Sequence, residues 1–414
     1  MSIDTFLLSS DTTDLNYPEV RPTLDLNFAR VKALDPRITF TRASGGTYVG
    51  ADGLIKYAGV NEPRFDHDPV TGESLGFLVE EARTNLATYS TDFSQAAWTK
   101  SNSTVTANTA IAPDGTLTAS LLLPNVGSSP GGEISRIGTN GIFSIYVKRQ
   151  NARYCGFTSW GYFGGNVYFD LDTGNIVSGW GFHPNFGTVT PSIAPAGNGW
   201  YRISITATNE SNRIFRIFPS ATSGTSANNP PTGDGTSGIY IWGAQLEADA
   251  FPTSYIPTEA SSRTRAADVA SITGTNFSSW FRQGEGSFFI NSAKTPTTNG
   301  VYFLCGDATD YIRAYAQGDG GSALQYFDAG PASTITISNS SQYQKRAFAY
   351  KVNDIAASIN ASTASTASSG QAPVASQLLI GNSTGSINCI NGTIARLTYY
   401  PKRLTDAQLQ VLTR

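Results

Sequence analysis

Two histidines, three neighbouring carboxylate pairs and one aromatic-rich stretch are the residues of this 414-residue chain equipped to act on a ligand or to hold one. His67 stands between Asp66 and Asp68 in FDHDP, a trio able to take a cation, although a short acidic turn of this kind also bonds its own backbone. Neither His67 nor His183 lies near a Ser or Cys in a nucleophile-elbow or protease phrase. Cleavage of a glycosidic bond needs only two carboxylates at a suitable separation. The candidates are Asp170 with Asp172, Glu247 with Asp249, and Glu80 with Glu81. Each has a structural alternative. Asp172 before Thr173-Gly174 is a turn former, Asp170 and Asp172 share a strand face only if that strand continues, and Glu81 is placed to pair with Arg83. Sugar rings stack their C–H faces on Trp or Tyr while polar groups bond the hydroxyls. YCGFTSWGYFGGNVYF (154–169) and SGWGFHPNFG (178–187) set Trp160, Tyr162 and Trp180 beside glycine-rich turns, and these three are the candidate ligand-contacting residues. Tyr168 and Phe169 on successive strand positions put part of that cluster in the core, and packing or a subunit interface is the alternative for the rest. No catalytic residue, metal site or cofactor is assigned.

The elements that must carry these residues are strands. With 41 Gly, 20 Pro, 11% aromatic and 14% charged residues, the composition describes short strands joined by tight turns, so the expected class is all-β. The length suits two or three domains. A net charge of −3 leaves no electrostatic footprint for nucleic acid, and no apolar run approaches the length of a membrane span. The N-terminus lacks the basic start and apolar core of a signal peptide, which predicts assembly in a cytoplasm. Cys155, Cys305 and Cys389 are widely spaced and odd in number, and read as buried thiols.

Residues 1–37 read as an extended arm in which Leu24, Leu26 and Phe28 alternate like a short strand. It docks either on a neighbouring protein by strand addition or on its own chain. Residues 38–84 read as a small set of hairpins, turned by GADG (50–53) and DPVTGES (68–74). In residues 85–258, IFSIYVKR (142–149) and GWYRISITAT (199–208) alternate apolar and polar residues, and VYFDLDTGNIVSG (167–179) reads strand, turn, strand. A linker, 259–274, leads to a second unit, 275–414, with GSFFINSA (286–293), a turn at Asn353-Asp354, QLLIGNS (377–383) and INGTIARLTYYPKRLTDAQLQVLT (390–413). Thr405 can cap a helix with Asp406 in its first turn and Leu409 and Leu412 on one face, the one short helix expected.

The segment NEPRFDHDPVTGESLGFLVEEARTN (61–85), preceded by ITFTRASGGTYVGADGLIKYAGV (38–60) and followed by NLATYSTDFSQAAWTK (85–100), resembles a cassette of bacteriophage and prophage virion fibre or spike proteins. The DLDTG turn, GNGWYR, and WGAQLE with SYIPT (residues 242–247 and 254–258) resemble the carbohydrate-binding-module-like jelly rolls that follow it. The phrases of 275–414 resemble a concanavalin A or laminin-G-like sandwich. The resemblance implies an N-terminal arm with tandem β-sandwiches in a non-enzymatic, tail-attached fibre or adhesin, located in the virion and assembled in the host cytoplasm. It also implies a homotrimer, other virion proteins of the tail, baseplate or capsid as partners, and host surface glycan as a ligand. A capsid-attached head fibre or decoration protein is the near alternative. A glycan-depolymerising tailspike is the farther one, and no β-helix repeat is visible to support it.

Overall fold

The alternating patterns resolve into two stacked pairs of antiparallel sheets, and the chain is all-β as its composition predicts. The computed structural model describes residues 17–128, 132–138, 141–159, 166–177, 189–207, 213–223, 232–293, 300–307, 310–316, 322–328, 333–337, 343–368, 374–384 and 388–414.

One sandwich is built from both ends of the chain. Its first sheet runs, in hydrogen-bonded order, Ser365–Ala367, Asp354–Ile359, Tyr343–Lys351, Glu285–Ala293, Gly392–Tyr400, Ser74–Val79 and Phe65–His67, with Leu24–Asn27 also paired to Gly392–Tyr400. The facing sheet runs Thr39–Thr41, Val269–Thr273, Gln377–Ile380, Val301–Gly306, Asp310–Ala316, Ser322–Asp328 and Ser333–Ile337. Leu26, Phe77, Phe288, Phe303, Phe348 and Tyr399 fill the space between them. The other sandwich uses the middle of the chain. One of its sheets contains Gly141–Arg149, Trp200–Ala207 and Ile239–Glu247; the other contains Tyr154–Ser159, Asn166–Asp170 and Arg213–Ser220. Phe93, Trp98, Phe143, Phe157 and Phe215 are in its core.

Local chemistry accounts for the turns. Gly50 N–H bonds the Leu54 carbonyl and Gly53 N–H the Gly50 carbonyl, closing the GADG hairpin between Gly46–Val49 and Ile55–Ala58. Asn353, at φ +56°, takes the left-handed conformation that Asn tolerates and joins the paired strands ending at Lys351 and beginning at Asp354. The C-terminal helix, Asp406–Leu412, begins in a full capping box: the Thr405 hydroxyl accepts from Gln408 N–H, and the Gln408 side chain accepts from Thr405 N–H. Its Leu409 and Leu412 face Phe289, Ala347 and Tyr400 on the outside of the first sheet. Phe28–Val31 and Gly274–Ser278 form two further single-turn helices, in addition to the one the sequence predicts.

The segment 1–37 differs from an extended arm in its described part. Leu24–Asn27 pairs antiparallel with Gly392–Tyr400, Leu26 opposite Leu397, and Asp25 takes a two-pronged ion pair from Arg396 at 2.8 and 2.7 Å. Of the two docking modes the alternation allowed, these residues adopt the one within their own chain. The hairpins of 38–84 likewise lend Ser74–Val79 and Phe65–His67 to one sheet and Thr39–Thr41 to the other. Val269–Thr273, inside the segment read as a linker, is the strand that Thr39–Thr41 meets. Strand pairing across more than 200 residues leaves no local pattern, which is why the sequence could not reveal it. Leu24 and Leu26 are then core residues, so Leu26→Ala is expected to cost about 2–5 kcal/mol in denaturant unfolding, as for any buried leucine. An unchanged midpoint would make the segment an appendage after all.

Candidate functional site

The two sandwiches meet at a buried cluster of charge. Arg42, Arg64 and Arg265, each no more than 1% exposed, surround Glu80 and Asp268. Arg64 contacts Glu80 at 2.7 Å and Asp268 at 2.5 Å, Arg42 contacts Asp268 at 3.0 Å, and Arg265 lies 3.5 Å from Glu80. The backbones interlock as well, since Glu80 N–H donates to Asp268 Oδ2 and Asp268 N–H to the Glu80 carbonyl. Ser254, at the close of the middle sandwich, donates its N–H and hydroxyl to the two Glu80 oxygens at 2.7 and 2.6 Å. Arg42 also donates to the carbonyls of Ser44, Gly59 and Glu62. Burial pushes the Glu80 carboxyl up, but Arg265, Arg64 and the Ser254 donors together outweigh it and hold its pKa at about 2. Burial pulls Arg265 below the ordinary guanidinium value, and Glu80 offsets only part of that.

Asn85 extends the clamp. It is fully buried, donates to the carbonyls of Ala244 and Ile256, and accepts from the N–H groups of Ala87 and Leu246. The connections into and out of the middle sandwich, Arg83–Asn85 and Arg263–Arg265, pair antiparallel beside it. The phrases TRAS, EPRF, VEEARTN, AQLE, SYIP and TRAAD, scattered between residues 41 and 268, therefore converge on one place.

The carboxylate pairs have specific occupations. Glu80 points into the cluster while Glu81 pairs with Arg83 at 2.5 Å, the ion pair the sequence predicts. Glu247 is buried and accepts from the Thr253 N–H and hydroxyl and from Gln245; Asp249 meets Arg83 at 2.9 Å. The strand Asn166–Asp170 stops at Asp170, so Asp172 sits in the turn instead of on the same face. Arg153 bonds Asp170 at 2.7 Å, holding its pKa at about 2, and Arg149 and Arg153 both reach Asp172. The trio around His67 also divides. Asp66 accepts from Val49 N–H, Asp68 accepts from Val70 and Thr71 N–H in its own turn, and the His67 Nδ1 faces the Val49 carbonyl. Burial, countered by the Val49 N–H, pushes the Asp66 pKa up to about 7. Among the described residues no three His, Cys, Asp or Glu side chains gather into a group that could hold a metal. The three cysteines are buried without a disulfide.

Trp160, Tyr162, Trp180 and His183 lie outside the described residues. The described strand ends nearest them, Ser159, Asn166 and Val177, lie at one end of a single sheet, where Thr158 pairs with Asn166 and Tyr168 with Val177.

Open concavities gather around the hairpins of 38–84. One, about 630 Å³, lies between the DPVTGES turn and the C-terminus and is lined by Asp68, Glu73, Asn291, Lys345 and Asn360. A second, about 470 Å³, opens between the tips at Gly53 and Gly72 and the Gly197–Tyr201 turn of the middle sandwich. Those tips interlock closely: a Cβ on Gly53 or Gly197 would come 2.6 Å from the Pro69 carbonyl oxygen. A third holds Tyr48, Asp52, Lys56, Tyr57 and His67. Of these residues only His67 stood out in the sequence. Tyr48 and Tyr57, flanking the GADG turn as aromatic residues on a short hairpin, were the signal available for the rest.

No protein-family model matches the chain, and no curated protein matches it. Among solved structures, the CBM40 of the Ruminococcus gnavus IT-sialidase, bound to alpha2,3 sialyllactose, aligns over 32% of this chain and 84% of its own at 17% identity and TM-score 0.29. Domain 4 of AbnA, a GH43 extracellular arabinanase from Geobacillus stearothermophilus, aligns over 40% and 83% at 16% identity and TM-score 0.27. Domains LG4-5 of the mouse laminin alpha1 chain align over 78% and 88% at 11% identity and TM-score 0.23. Likenesses at this level carry no conclusion about ligand or activity.

Breaking one partner of a buried ion cluster typically costs about 3–5 kcal/mol, because the remaining charge stays desolvated. Glu80→Gln is expected to lose stability on that scale. Its pKa is lower folded than unfolded, so the stabilisation is present above the ordinary carboxylate value of 4.5 and fades as pH falls toward 2. Thermal unfolding of both proteins across that range should converge at low pH; parallel curves would show that Glu80 is not held by charge.

Proposed function

We propose that this chain is a bacteriophage virion structural protein, a non-enzymatic tail-attached fibre or adhesin that presents its β-sandwiches to host surface glycan. The observation that carries the reading is the ordered set of phrases at 38–60, 61–85 and 85–100, each resembling the virion cassette and standing in the same order. The structure adds a reason for that wording: Arg42, Arg64, Glu80 and Asn85, which the phrases supply, are among the buried polar residues that join the two sandwiches. In this reading 85–258 is a jelly-roll domain inserted into a concanavalin A or laminin-G-like sandwich that the flanking segments complete. The protein is a homotrimer joined through sandwich faces and acts without a cofactor. Its partners are other virion proteins, and neither nucleic acid nor membrane insertion enters its role.

Electron cryo-microscopy of intact virions labelled with an antibody against residues 265–414 tests the placement. Label at the tail is the expected outcome. Label spread over the capsid would make the chain a head fibre or decoration protein, and unlabelled virions would sink the virion reading.

A further inference from the structure

The hairpins of 38–84 do more than supply buried charge, since their outer side forms a shallow cleft of about 590 Å³. Five side chains give it character: Tyr48, Asp52, Lys56, Tyr57 and His67. Tyr57 is 55% exposed, with its ring over Gly45 and its hydroxyl receiving Arg263 at 3.2 Å. His67 is only 5% exposed. Its Nδ1 lies 3.0 Å from the Val49 carbonyl, which can only accept, so Nδ1 carries the proton, and in the tautomer this sets Nε2 presents a lone pair. That Nε2 is buried and has no partner. Buried acceptors are ordinarily bonded, and one left open beside a cleft asks for a donor.

We propose that this cleft binds a neutral sugar ring, with a ligand hydroxyl donating to His67 Nε2. The remaining groups select that chemistry. Asp52 accepts from a hydroxyl and Lys56 donates to one, and the exposed Tyr57 ring, beside the half-buried Tyr48, offers the flat apolar surface on which the C–H face of a pyranose packs. A metal cation is excluded from the same place by the Lys56 ammonium, 2.6 Å from the Asp52 carboxylate. An anion is opposed by Asp52 itself. Ala51 and Asp52 also border the cleft against Gly197–Tyr201, so a chain of more than one sugar can continue toward Asn198 and Tyr201 of the middle sandwich. The inference deepens the glycan-contacting part of the reading above and rests on it, but it is independent of where in a virion the protein sits.

The chain has only two histidines, so labelling the full-length protein with 13Cε1-histidine gives two ring signals, assigned with His67→Gln and His183→Gln. The probes are the methyl glycosides of glucose, galactose, mannose and N-acetylglucosamine. We expect one of them to move the His67 signal saturably while the His183 signal stays. Tyr57→Ala and Asp52→Asn should each weaken that binding at least fivefold with thermal stability retained. No movement of His67 with any of the four overturns the site, as does a shift that survives both substitutions. Movement of His183 alone overturns it too while keeping glycan binding for another part of the protein, and virion labelling is unaffected by any of these results.

Discussion

Three guanidinium groups confined with two carboxylates in the joint between two sandwiches set the terms for the rest of this structure. Each charge brought out of water costs several kcal/mol unless its partners are in place, and a packed apolar joint would be at least as stable. What the charged joint adds is intolerance of error. Arg42 and Arg64 arrive on the hairpins, Glu80 on the way out of them, Ser254 at the end of the middle sandwich, and Arg265 and Asp268 on the return. Asn382, from the loop after Gln377–Ile380, bonds the Asp268 carbonyl. Misplacing any one of these segments strands a charge in an interior that cannot solvate it.

The topology follows from the same joint. A domain can be inserted into a sandwich only where its two connections lie side by side, and Arg83–Asn85 pairs with Arg263–Arg265 at that position. Asn85 then uses all its hydrogen-bonding capacity to tie the first turn of the insert to its last strand. Because the outer sandwich draws strands from residues 24–79 and from 269–400, its core forms only after the insert has been made. Such long-range pairing slows folding, and the insert, whose strands are all within 85–258, is the unit with the more local contacts.

Features written in short windows were legible in the sequence. The GADG and DPVTGES turns, the DLDTG strand reversal, the Asn353 turn, the Thr405 cap with Leu409 and Leu412, and the Glu81–Arg83 pair all depend on residues within a few positions of one another. The placement of Leu24–Asn27 and the destination of the hairpin strands were not legible, because alternation tells which face of a strand is buried but not which strand it meets. The charged joint was hidden for another reason. Arg42, Arg64 and Arg265 lie among surface-like residues in sequence, and nothing local distinguishes an arginine held by Asp268 from one in solvent. The aromatic candidates Trp160, Tyr162 and Trp180 stay as the sequence left them.

The hairpins of 38–84 serve the inside and the outside of the molecule with neighbouring residues. Arg64, just before the short strand Phe65–His67, enters the charged joint, while on that strand Asp66 holds the Val49 N–H and His67 turns to the Val49 carbonyl, so the outer cleft is fixed by the same backbone that fixes the buried charges. Gly46 shows how closely the two sides are coupled: a Cβ there would come within 3.2 to 3.4 Å of side-chain atoms of Arg265, Arg42 and Arg64. The hairpin that carries Tyr48 and Tyr57 therefore rests directly on the three arginines. A surface site on such a base loses little freedom on binding, which is the condition under which a small, shallow contact can contribute useful affinity. In an oligomer the effect multiplies, because sites held at fixed separations engage a repeating ligand together.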